Sequence, residues 1–182
     1  MDTPAAPPTP PLGALRGALR DEPGLVAALG RHSTVVVIPD PARAAAVAGL
    51  TDLSRRRPVV CAVPTASDAE RLASDLSSFL PAGSVELFPA WETLPFERVS
   101  PSIETMGRRL RVLWRLRTLD PSLTVVVAPA RALVQRLGPH VEDVEPIVVE
   151  AGDRVDLHDL VERLVLAGYR RGWTDAVIMR IT

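Results

Sequence analysis

Short apolar runs alternate with amphipathic ones along most of the chain. From residue 34 the order is TVVVIP, PARAAAVAGLTDL, VVCAVP, SDAERLASDLSSFL, SVELFP, a helix-forming stretch after residue 100, LTVVVAP and ARALVQRL. Continuous valine-rich runs without polar alternation mark strands buried on both faces, as in parallel sheets. Four such strands with intervening helices predict an open, doubly wound, mainly parallel α/β sheet over residues 34–140. Right-handed crossovers place its helices on both faces. Ser67 and Glu70 have capping-box spacing for the helix after VVCAVP. Ahead of the sheet, 12–20 and 23–30 read as short helices behind a Pro- and Ala-rich tail that cannot pack, and 1–33 is set apart as an extension.

After Gly138-Pro139 the pattern shifts. Residues 146–150 predict a strand, Gly152-Asp153 a turn, and 156–167 a helix with Asp156 at its N-cap and Gly168 as its stop. Residues 144–182 therefore read as an incomplete α+β domain. About 40 residues are too few for an independent core, so the chain is expected to stop inside a domain, as a fragment of something longer.

One stretch departs from this alternation. Residues 88–116 hold two of the three tryptophans and two of the three phenylalanines. Phe88, Trp91 and Phe96 sit among Pro89, Pro95 and Pro101, and prolines remove donors and stop helices, so a long ordered loop follows the third strand. A helix then restarts. Ser100, Ser102 or Thr105 can cap it, and Ile103, Met106, Leu110, Leu113 and Leu116 predict its buried face.

Composition narrows the chemistry. With 182 residues, 47% hydrophobic content and a net charge of −1, the chain can build one ordinary core and exerts no overall pull on nucleic acid. All 21 basic residues are arginine. Without lysine there is neither a P-loop lysine for phosphates nor a Schiff base. The single cysteine, Cys61, lies in a strand as a small hydrophobe and cannot form an internal disulfide. No signal peptide and no bilayer-length apolar run is seen, so a cytoplasmic location without membrane contact is expected.

Candidate sites are few. The first strand runs into Pro39-Asp40-Pro41-Ala42-Arg43, with prolines where a phosphate cradle needs free N–H groups, and Gly49 stands alone. The topology is thus P-loop-like but degenerate, and no cofactor is expected. His32, His140 and His158 lack metal-ligand spacing, and no nucleophile elbow is present. Arg108, Arg111 and Arg115 share a helix face by spacing and form either a phosphate-contacting stripe or a solvated one. Trp91 and Phe96 either stack bases or pin the loop to the sheet. Arg170 and Arg171, after Tyr169, are candidates for protein contact.

Trp91-Glu92-Thr93-Leu94-Pro95-Phe96-Glu97, then Ser100-Pro101, then Arg109-Leu110, resembles the N-terminal UvrB-homology module of the transcription-repair coupling factor family, Mfd. That resemblance, over about residues 30–170, implies an α/β domain like domain 1 of UvrB that has lost its P-loop. It further implies the opening of domain 2, which binds UvrA. Carried over by motif, Trp91, Glu92, Leu94 and Pro95 are the family loop, and Arg170 and Arg171 belong to the UvrA-binding surface. Where the family continues with G-E-[FY]-x-x-R-G-G, this chain has GWTDAVIMRIT. The regions for RNA polymerase and for ATP-driven translocation on DNA lie in other parts of such proteins. The expectation is a non-catalytic interaction module for nucleotide excision repair. A nucleic-acid-binding helicase-associated domain using the arginine helix, and an enzyme using the crevice at the strand C-termini, stay open as alternatives.

Overall fold

The computed structural model describes residues 10–29, 31–54, 57–93, 101–137, 141, 145–149, 151–166, 169–171 and 179–181. At its centre β1 (Val59–Val63), β2 (Val85–Leu87) and β3 (Val125–Pro129) form a parallel sheet in the order β1-β3-β2. Parallel neighbours need long crossovers, and the helices α4 (Ala66–Ser77) and α5 (Ile103–Arg117) provide them. The open α/β class expected from the apolar runs is the one that forms.

β3 is buried along its whole length, which is why its sequence shows no alternation. Val125 and Val127 face one layer, packing with Ala44 and Ala48 of α3 (Arg43–Leu53) and with Leu72 and Leu76 of α4. Val126 and Ala128 face the other, with Phe88, Val112 of α5 and Ala132 of α6 (Ala130–Val134). Period-two geometry thus divides one strand between two cores.

The two short N-terminal helices form as expected, as α1 (Leu15–Leu19) and α2 (Pro23–Ala28). They pack on α3, where Arg16 forms a two-pronged ion pair with Asp52. Gly49, the isolated glycine of the sequence, is a packing position. A Cβ there would lie 2.9 Å from Leu19 Cβ and 3.2 Å from Leu25 Cδ1.

Four expectations are corrected. Residues 34–38 do not join the sheet: the segment pairs with no strand among the described residues, and Val35 and Val37 are 92% and 94% exposed. β-Branched residues favour extended backbone, but a strand also needs a neighbour, and none is present here among the described residues. The same holds for 146–149 of the predicted later strand, where Val148 and Val149 are both exposed, while position 150 lies outside the described residues. The cap of α4 is Thr65-x-x-Asp68 rather than Ser67-x-x-Glu70: Thr65 Oγ1 accepts from the Asp68 amide at 3.1 Å and donates to its carboxylate at 2.7 Å. Finally, the fully buried line of α5 is Thr105, Arg109, Val112 and Arg115, and the predicted apolar face is only partly covered.

Beyond the sheet, α7 (Leu157–Leu166) is capped by Asp156, whose carboxylate accepts from the amides of His158 at 2.7 Å and Asp159 at 3.2 Å. β4 (Tyr169–Arg171) and β5 (Met179–Ile181) then pair antiparallel.

Candidate functional site

The aromatic loop leaves the sheet at β2, where the Phe88 amide continues the ladder by donating to Val127 O at 2.8 Å. Two side chains fasten the loop beyond this point. Gln135 accepts from the Trp91 amide at 2.8 Å, and Arg109, only 1% exposed, reaches up from α5. The Arg109 guanidinium carbon lies 4.1 Å from the Phe88 ring centre and 4.3 Å from that of Trp91. Its Nη1 donates to Pro89 O at 2.6 Å. Nε and Nη2 are buried without a hydrogen-bond acceptor, so the two ring faces are the cation's main compensation. Trp91 is therefore pinned in this structure through its ring and its backbone.

Glu92 caps the capping residue. Ser102, with extended backbone before α5, accepts from the Thr105 amide at 3.2 Å. The Glu92 carboxylate in turn accepts from the Thr105 hydroxyl at 2.5 Å, the Ser102 amide at 3.0 Å and the Ser102 hydroxyl at 2.7 Å. These donors, the Thr105 hydroxyl foremost, hold its carboxyl at about 2, against an ordinary value of 4.5. The motif residues Trp91, Glu92 and Arg109 thus form one brace joining the loop to the helix. Leu94, Pro95 and Phe96 lie outside the described residues.

The three arginines expected to share a helix face separate. Arg108 is exposed and paired with Glu104 at 2.6 Å, and Arg111 is exposed and paired with Glu86 at 2.8 Å. Arg115 turns inward: 5% exposed, it donates to Glu86, Asp120, Ser122 and Gly83 O. Burial pulls its guanidinium down in pKa, and the Asp120 and Glu86 carboxylates more than restore it, so the net direction is upward. Asp120 is held at about 2 by the Ser122 hydroxyl and Arg115. Arg115 is an internal ion-pair hub and not part of a surface stripe. Sequence spacing missed this because it records only which residues share a side, and Arg115 and Arg109 carry their own buried partners.

At the C-terminal ends of the strands lies a crevice of about 550 Å³, lined by residues including Thr65, Glu70, Trp91, Glu92, Arg108 and Arg131. Open α/β sheets place ligands at this edge. Here, however, the Asp68 amide at the N-terminus of α4 is taken by the Thr65 hydroxyl, and at that of α5 the Ser102 amide is taken by Glu92 and the Thr105 amide by the Ser102 hydroxyl. The turn after residue 38 is a single 3-10 turn, Asp40–Ala42, and the hollow beside it, about 200 Å³, is lined by Asp40, Asp68 and Asp75, with Arg43 and Arg71 paired to the first two. Proline, missing amides and carboxylates all oppose phosphate there. Burial raises the Cys61 thiol to about 11, far from a reactive thiolate. Among the described residues no group of His, Cys, Asp or Glu is arranged to hold a metal, and no helix is long and apolar enough to cross a membrane. Arg170 and Arg171 lie on β4, paired through the backbone with Arg180 and Met179, and their side chains fall outside the described residues.

Fold and site together define an open parallel α/β domain with a braced aromatic loop and a filled-in phosphate corner. No protein-family model matches the chain. Curated relatives do, among them the transcription-repair-coupling factors of Mycobacterium tuberculosis, 38% identical over 124 residues covering 65% of this chain, of Escherichia coli, 33% over 114 residues covering 62%, and of Haemophilus influenzae, 32% over 130 residues covering 71%. The chain spans only 10–11% of these relatives' length. It is a relative of the transcription-repair-coupling factors and corresponds to one segment of them.

Proposed function

We propose that the chain is a non-catalytic protein-docking module that helps recruit the damage-recognition protein UvrA in transcription-coupled nucleotide excision repair, in the cytoplasm. In a longer protein of this kind it would be joined to regions that contact RNA polymerase and to an ATP-driven translocase on DNA. The observation that carries the reading is the combination of kinship with transcription-repair-coupling factors and a phosphate corner closed by Pro39, Pro41 and three aspartates. A sheet of nucleotide-binding type that cannot seat phosphate is left with its surfaces. UvrA contact is assigned to the segment around α7 and β4, with Arg170 and Arg171 as anchors.

Calorimetric titration of this chain with UvrA tests the proposal. Saturable binding that weakens about tenfold or more when Arg170 and Arg171 are both changed to alanine is expected. Absence of binding overturns the recruitment role, and binding indifferent to both arginines overturns their assignment.

A further inference from the structure

All three strands of the parallel sheet stop at proline where they reach the crevice. Pro64 follows β1, Pro89 follows Phe88 at the end of the β2 ladder, Pro129 closes β3, and all three line the hollow of about 550 Å³. Proline offers a carbonyl and no N–H, so this floor accepts hydrogen bonds without donating them. Most side-chain donors around it are committed within the molecule. The Thr65 hydroxyl donates to Asp68 at 2.7 Å, the Ser102 and Thr105 hydroxyls donate to Glu92 at 2.7 and 2.5 Å, and Arg108 pairs with Glu104 at 2.6 Å. Left over are the Trp91 indole N–H and Arg131, whose polar contact among the described residues is a long 3.5 Å to Thr93 O. The positive ends of α4 and α5 carry Asp68 and Glu104 in their first turns, which offset the amides left open there. Acceptors, by contrast, remain. Glu70, passed over by the α4 cap, is exposed on the crevice wall and has no hydrogen-bond or ion-pair partner among the described residues. Three carboxylates, Glu70, Glu92 and Glu104, line the crevice against two guanidinium groups, Arg108 and Arg131.

Unmet acceptors call for a ligand that brings donors and positive charge. No group of His, Cys, Asp or Glu among the described residues is arranged for a metal ion, and acceptors divided between a carbonyl floor and a carboxylate wall suit a planar cation with several N–H groups. Arg109 already shows the match within the molecule: its guanidinium donates to Pro89 O and lies against the Trp91 ring. We propose that the crevice receives an arginine side chain from a partner protein. Its guanidinium pairs with Glu70 and donates to the carbonyl floor, while its hydrocarbon stem lies on Trp91 and the proline rings. The inference rests on the reading of this chain as a docking module, and gives that module a contact apart from the α7–β4 segment.

The probe is a blocked tripeptide with arginine between two glycines, titrated into the full chain and followed by amide chemical shifts in NMR. Saturable shifts at residues lining the crevice, with a dissociation constant of about 1 mM or tighter, are expected. The same peptide with citrulline, which keeps the shape and loses the charge, should bind about tenfold more weakly, as should the arginine peptide to Glu70→Gln. Arg131→Ala removes a competing cation and should tighten binding. No saturation by about 10 mM, equal binding of the citrulline peptide, an affinity unchanged in E70Q, or saturation of the same amides by inorganic phosphate each overturns the proposal. Glu70 is exposed and without a described partner, so an unchanged unfolding temperature in E70Q separates lost binding from lost structure. Because the probe is the peptide and not UvrA, its failure leaves the UvrA titration standing, and a failed UvrA titration leaves the peptide result standing.

Discussion

A buried guanidinium with two nitrogens lacking acceptors is tolerated at position 109 because two aromatic faces take the place of acceptors. Leaving such groups unpaired costs about 1–3 kcal/mol, and a desolvated cation–π contact returns about 2 kcal/mol. With both Phe88 and Trp91 against the Arg109 guanidinium, the two contacts together are of the same order as the cost of its two unpaired nitrogens. Arg109→Ala is expected to destabilise the fold by about 3 kcal/mol in urea denaturation, since it opens a cavity and strips both rings of their partner. Trp91→Ala should cost clearly less in that background than in the unmodified chain, and additive losses would show that the stack contributes nothing. The sequence alone does not disclose this stack. The motif flags Trp91, Glu92 and Arg109 as belonging together, but an arginine in a helix reads as surface, and its buried status depends on two rings some twenty residues away.

α5 shows what an element's sequence reveals and what it withholds. Its start is legible: Ser102 is one of three candidate caps and is the one used. Ser102→Ala should cost about 1 kcal/mol. That Glu92 secures the cap from outside the helix is not legible, because the contact spans a loop rather than a turn. Its pH signature is definite. Glu92 is depressed in the folded state from 4.5 to about 2, so its contribution is complete above 4.5 and disappears as the pH falls through about 2. Glu92→Gln should therefore be less stable than the parent at neutral pH, with the gap closing towards pH 2, and a gap independent of pH would contradict the capping role. α3 gives a steric counterpart: Gly49→Ala places a methyl against Leu19 and Leu25 and should cost about 1–2 kcal/mol in thermal unfolding. The sheet is legible in its strands and not in its pairing. Val runs at 59–63 and 125–129 find neighbours, whereas the equally β-prone run at 34–38 finds none among the described residues, and composition does not distinguish them.

For the molecule as a whole, charge and topology point to surfaces rather than to bound phosphate. The net charge is −1, and the arginines nearest to a basic stripe are paired with Glu104, Glu86 and Asp120. A phosphate arriving at the crevice would have to displace Glu92 from the Ser102 amide or the Thr65 hydroxyl from the Asp68 amide, and one arriving at the Asp40–Ala42 turn would meet Asp40, Asp68 and Asp75. Each displacement exchanges an intramolecular acceptor for an external anion that must also give up its freedom of motion. ATP with magnesium is therefore expected to leave the unfolding temperature unchanged. A ligand present at a hundred times its dissociation constant would stabilise the fold by about 2.7 kcal/mol, a shift of several degrees that differential scanning fluorimetry resolves easily. If such a shift appeared and disappeared again in Arg43→Ala, at the corner, or Arg131→Ala, at the crevice, that place would be a working nucleotide site, and the view of this sheet as a docking scaffold would have to be abandoned.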